Sequence, residues 1–164
     1  MQEEIQMNID ALQAFTDQMP EWLQVLLTVL WGMIPYIESE VAAVIAVLAG
    51  LPLPVAIGAA IAGNVISVLA VILLSDKLRR VFKLDKKPDE DNIRVQKIQK
   101  LLNRYGVPGV SILGPFVAAG HGSALILIAL GADKKAVIFW QIVAISIGGI
   151  AAGVLAWQGV NLLT

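Results

Sequence analysis

Four long apolar stretches, Trp22–Gly50, Leu51–Ser75, Val107–Ala132 and Ala136–Leu163, decide what class of fold this chain can adopt. Each exceeds the roughly 20 residues a helix needs to cross about 30 Å of hydrocarbon. Glu38 and Glu40 are the only charged residues inside them; all other charges sit in residues 1–21, 76–104 and 133–135. A soluble domain would carry amphipathic helices or alternating strands instead. A membrane β-barrel would alternate apolar and polar residues, and these runs are continuous. The sequence therefore predicts an all-α integral membrane protein, a single membrane domain over residues 1–164.

The organisation follows from the charges. Residues 1–21 contain five acids and no Lys or Arg, unlike the positive start of a secretory leader. Within them Ile5, Ile9, Leu12, Phe15 and Met19 recur at helical spacing, predicting an amphipathic helix that lies on the membrane surface or covers the bundle. Residues 76–104 hold ten of the twelve Lys and Arg residues, which predicts a cytoplasmic loop. There Lys86–Asp91 reads as an exposed turn. A second amphipathic helix follows, with Ile93, Ile98, Leu101, Leu102 and Tyr105 as its apolar side. Its cations Arg94, Lys97, Lys100 and Arg104 suit anionic headgroups or a solvated face equally.

The last two cations, Lys134 and Lys135, bear on topology. Four plain spans would put them outside and the acidic N-terminus inside, against the charge rule. If stretches one and three are re-entrant hairpins, all twelve cations are cytoplasmic and the N-terminus is outside. Breakers support the hairpins: Pro35 in the first, and Pro108-Gly109, Gly114-Pro115 and Gly120-His121-Gly122 in the third. A proline inside a helix costs roughly 3 kcal/mol or more. A kinked complete span remains the alternative for the first stretch. The halves also align faintly, Trp31–Ile37 over Ser111–Val117, each proline followed by an aromatic and a β-branched residue. The expectation is two inverted repeats, each a re-entrant helical hairpin plus a transmembrane helix: 22–75 and 105–164, joined by 76–104 and preceded by the surface helix of 1–21. Such repeats recur among transporters.

Glu38 and Glu40 are the main candidates for chemistry. A carboxylate at the centre of a membrane helix costs at least about 2.5–3.5 kcal/mol, so it is read as functional by default. A carboxyl withdrawn from water and set beside another holds its proton more tightly, which suits proton exchange. A partly solvated turn at the interface would leave both simply ionised. His121, the single histidine, can relay protons or merely fill a turn. The hairpin tips are expected to bring Glu38 and His121 toward each other. The polar residues Asn64, Ser67, Ser123, Gln141 and Ser146 either line a path or join helices, and Gly58, Gly63, Gly148, Gly149 and Gly153 permit close approach. One histidine and no cysteine make a poor metal site, and no Walker loop or nucleophile elbow is present. No enzyme activity, cofactor, metal or nucleic-acid partner is expected.

Pro35-Tyr36-Ile37-Glu38 with Gly50, Pro52 and Asn64, and Tyr105-Gly106 with Pro115-Phe116-Val117-Ala118-Ala119-Gly120-His121-Gly122, resemble the small multidrug export protein family over most of residues 25–158. That family in turn resembles the DedA (VTT) superfamily, whose re-entrant hairpins and membrane acids are linked to proton-coupled movement of lipids or drugs. Two positions depart from the pattern: Glu40 stands where the family commonly has Arg, and Val117 where it usually has a second proline. No Arg or Lys lies in any apolar stretch, which turns the expectation from anionic lipid phosphates toward cationic or neutral substrates. The resemblance implies a proton-coupled exporter of small molecules in the cell (inner) membrane, among membrane lipids, and the few helices available to enclose a path lead to the expectation of a homodimer. A DedA-like lipid flippase or scramblase is the alternative, and a non-transporting membrane assembly factor a third.

Overall fold

A computed structural model describes the backbone of residues 7, 13, 14, 18–81 and 92–163, with the side chains of 76–81 and 163 left aside. The expected helix over residues 4–19 falls mostly, and the turn at Lys86–Asp91 wholly, outside those residues. Among the described residues every regular element is helical: α1 (Glu21–Gly32), α2 (Glu38–Leu48), α3 (Leu53–Val81), α4 (Ile93–Leu113), α5 (Pro115–Ala129) and α6 (Lys134–Leu163).

Local sequence explains the ends. Extended Pro20 enters α1, and Glu21 places an acid in its first turn. The Asn92 side chain caps α4, accepting from the Arg94 amide at 2.9 Å. The Asp133 carboxylate caps α6, accepting from the Ala136 amide at 2.9 Å. Two glycines end helices in the left-handed conformation, Gly50 at φ 91° and Gly131 at φ 87°. Each closes the same paired motif: Leu51 N–H bonds Ala46 O while Gly50 N–H bonds Val47 O, and Ala132 N–H bonds Leu127 O while Gly131 N–H bonds Ile128 O.

The apolar stretches divide as their breakers imply. Helices α3 and α6 are long and apolar enough to cross a membrane, over Leu53–Ser75 and Lys134–Leu162. Stretch one is interrupted between α1 and α2, beside Pro35, with Tyr36 at φ 73°. Helices α4 and α5 meet at a 102° bend, the geometry of a broken span or a re-entrant loop. Pro108 does not make a break of its own. Gly106, at φ 66°, breaks α4 first, and Pro108 falls in the opening turn beyond it, where a missing N–H costs nothing. Nor do Gly120 and Gly122 interrupt α5; its non-helical residues are Ala118 and Ala119, just before them.

Several backbone features recur at one interval. The left-handed residues Glu38 and Ala119, the capping glycines Gly50 and Gly131, and the helix starts Leu53 and Lys134 are each 81 residues apart. So are the helix ends Gly32 and Leu113, and Leu48 and Ala129.

The chain forms two compact units, one of residues 1–64 and 145–164, the other of residues 65–144. In the first, α1 and α2 pack on each other, on the beginning of α3 and on the end of α6. Glycines make the approach close. A β-carbon on Gly63 would collide with the backbone of Val29, and one on Gly32 would stand 2.5 Å from Ala60 O. Gly149 faces Ile61 and Gly153 faces Ile57, so α3 and α6 run antiparallel there. Small residues fill the interior, among them the fully buried Ala42, Ala43 and Ala60. Large apolar side chains of this unit such as Leu26, Ile150, Leu155 and Trp157 point outward. Small residues inside and bulky apolar ones outside are the distribution that lipid favours.

Candidate functional site

Of the two acids, Glu38 is 7% exposed and Glu40 half-buried. Both lie in the first turn of α2 rather than in the turn before it. Glu38 opens the helix at φ 50°, a left-handed conformation that a non-glycine residue holds at a cost of order 1–3 kcal/mol. Its amide still bonds Ile34 O at 3.0 Å across the Pro35 turn, so the strain is held by a closed loop of main chain. Being two residues apart on a helix, the carboxyls point in different directions.

Ser39, between them, is the hub. Its Oγ lies 3.1 Å from the Ile145 carbonyl of α6 and 3.3 Å from Glu40 Oε2, and it accepts from Asn64 Nδ2 of α3 at 3.4 Å. Three helices meet at one hydroxyl, and it has a single hydrogen to donate. While Glu40 is ionised, its carboxylate and the Ile145 carbonyl compete for that hydrogen. A protonated Glu40 becomes a donor to Ser39 Oγ, and Ser39 then keeps its bond to α6. The Glu40 carboxyl rests against Gly148, where a side chain would have no room, and Gly149 admits Ser39 to the backbone of α6.

The second unit holds His121, Ser123 and Gln141. His121, buried in α5, is joined to Ser67 of α3 through Nε2 and Oγ at 2.6 Å. Ser123 Oγ donates to Gly120 O at 2.9 Å. Gly114 packs against Ser123, so the bend after α4 is a close contact that a larger residue would force apart. Ser111 Oγ and Gln141 Nε2 are buried, with no hydrogen-bond partner among the described residues.

The expected residues thus fall into two groups: Glu38, Glu40 and Asn64 in one unit, His121, Ser123 and Gln141 in the other. Glu38 and His121 belong to different units. Sequence reading passed over Ser39, whose signal is its place between two membrane acids, and gave Ser67 no partner. The apolar recess between α1 and α2, bordered by Leu27, Trp31 and Ile45, has a volume near 40 Å³. That is room for a few water molecules. Among the described residues no cluster of His, Cys, Asp or Glu is suited to a metal ion.

Compared with protein families, with curated proteins and with solved structures, the chain matches none.

Proposed function

We propose that this chain is a small integral membrane transporter that exports small, cationic or amphipathic molecules in exchange for protons. In this reading it consists of two inverted hairpin-plus-span repeats in the cell (inner) membrane and works as a homodimer, with residues 76–104 and 134–135 cytoplasmic. The observation that carries it is the Glu38-Ser39-Glu40 turn. Two carboxyls sit in an otherwise uncharged apolar stretch, at a strained helix start, and one of them, Glu40, meets a hydroxyl that joins three helices. Taking up a proton at Glu40 changes which groups Ser39 can bond. It therefore biases how α2 is tied to α6 in the same step that removes a charge. Coupling of that kind is what proton-driven export requires: a binding event with a different free energy in two arrangements.

The repeat reading draws support from the recurrence at 81 residues and from the antiparallel packing of α3 and α6. Inverted repeats with broken helices place binding groups where the two halves meet. With few helices to enclose a path, a chain of 164 residues suits pairing with a second copy.

The test is proton and substrate flux in proteoliposomes across a panel of cationic, neutral and lipid-like compounds. Glu38→Gln, nearly isosteric, should keep the fold and abolish pH-driven flux, while substrate binding remains measurable. Glu40→Gln should abolish it as well, because it removes the proton that switches Ser39, and the double variant should match either single one. Flux in Glu38→Gln at the wild-type rate with the same pH dependence would refute the coupling role. Unchanged flux with lost partner association in both single variants would favour the assembly factor.

A further inference from the structure

Two side-chain contacts, one in each unit, join positions related by the same interval in both members. In the first unit Glu40 of α2 lies against Gly148 of α6. In the second, His121 of α5 is bonded to Ser67 of α3. Glu40 and His121 are 81 residues apart, and so are Ser67 and Gly148. Glu40 and His121 each stand two residues beyond a left-handed residue, Glu38 at φ 50° and Ala119 at φ 52°. Gly148 and Ser67 each stand fourteen residues beyond the start of their helix. Each contact joins the hairpin of one half to the long helix of the other, as an inverted repeat requires.

We infer that Ser67–His121 is the second copy of the Gly148–Glu40 position, and that His121 is a second proton-exchange group. Each hairpin then carries one such group, a carboxyl in the first and an imidazole in the second. The inference rests on the proton-coupled reading above, and it adds a site in the second unit that the acids do not supply.

The chemistry of the pair fits reversible protonation. A serine hydroxyl both donates and accepts. With the imidazole neutral and its Nε2 lone pair free, Ser67 donates to Nε2. When a proton from water forms the Nε2–H bond, Ser67 Oγ becomes the acceptor, and the buried contact survives in both states. The return of that proton to water restores the first arrangement. In the first unit Gly148 offers no such group, and Ser39 supplies the adaptable hydroxyl to Glu40 instead. No other side chain on the elements around His121 titrates within the apolar segments: residues 53–75, 106–132 and 136–144 contain no Asp, Glu, Lys, Arg, Tyr or Cys. The nearest charges along the chain are Asp76 and Lys77 in α3 and Arg104, Asp133, Lys134 and Lys135 beyond the other segments, with Arg104, Asp133 and Lys135 exposed and Lys134 half-buried.

Because His121 is the only histidine, ¹⁵N-histidine labelling of the full chain in lipid vesicles reports this one ring. The ring signals should show both a neutral tautomer and the imidazolium across the pH range over which proton flux is measured, and His121→Gln should reduce proton flux to the background of empty vesicles. A ring that holds one neutral tautomer throughout, or undiminished flux in His121→Gln, overturns the inference. If Glu38→Gln stops flux and His121→Gln does not, the transporter reading stands and this one falls; absence of proton flux in the wild type overturns both. Exchange of the two positions gives a second readout, independent of transport. Gly148→Ser alone should lower the unfolding temperature, because Glu40 occupies the space. Adding Glu40→His should restore most of the loss by rebuilding a serine–histidine pair, and adding the equally long Glu40→Gln should not. Equal stability of those two double variants overturns the equivalence.

Discussion

Alanine at Gly63 should destabilise the protein relative to alanine at Gly58, although the two glycines are five residues apart on α3. Each substitution gains about 0.5–1 kcal/mol of helix propensity, because glycine is the costlier residue in a helix interior. At Gly58 a β-carbon meets nothing within 4 Å, so that gain is the whole effect. At Gly63 the β-carbon would stand 2.8 Å from the Val29 carbonyl carbon and 3.1 Å from its Cα, and closer still to its oxygen. These are main-chain atoms of α1, which no rotamer change can clear. The helices must separate, and overpacking of this kind costs typically about 1–3 kcal/mol. The propensity gain is common to both variants, so they should differ by about that amount. At roughly 2–4 °C per kcal/mol for a chain of this size, the gap is several degrees. Thermal unfolding in detergent, followed by helical circular dichroism, measures it. A Gly63→Ala protein as stable as Gly58→Ala would mean that α1 and α3 do not meet backbone to backbone, and the packing of the first hairpin described above would be wrong.

Other expectations follow from single features. Gly50→Ala and Gly131→Ala should each cost about 1–2 kcal/mol and by similar amounts, because both residues hold the same left-handed cap; denaturant titration checks this, and a loss at only one would weaken the repeat. Cysteines placed at residues 90 and 134 of this cysteine-free chain should both be protected from an impermeant thiol reagent in right-side-out vesicles. Labelling at 134 alone would establish four plain spans. Lys97, Lys100 and Arg104 are exposed on α4, one residue or more before Tyr105 and the Gly106 break, and Arg104 lies over the Tyr105 ring at 5.1 Å. Their joint replacement by Gln should weaken retention of anionic phospholipid by about 1 kcal/mol per cation; retention that is the same at low and high salt would exclude an electrostatic contact.

The sequence by itself determined the all-helical class, the two helices long and apolar enough to cross a membrane, and some of the interruptions. Those properties are local or additive. Twenty uncharged apolar residues transfer to lipid whatever their neighbours do, and a proline or a left-handed glycine ends a helix through its own backbone. Pro35, Gly114 and Pro115 were legible for that reason, as were Glu38 and Glu40, whose cost in an apolar stretch is visible without coordinates. Breaks at non-glycine residues were not legible. Ala118 and Ala119 carry no intrinsic preference for the conformations they hold, so the interruption was assigned to the glycines next to them. The pairings were decided only in three dimensions. Ser39 reaches Ile145 and Asn64, Ser67 meets His121, and Glu40 fits against Gly148, across separations from 25 to 108 residues that no spacing rule spans. A serine or a glycine in an apolar run looks the same in sequence whether it joins helices or serves a carboxyl. What distinguishes them is which other helix approaches, and that is set by the packing of the whole chain.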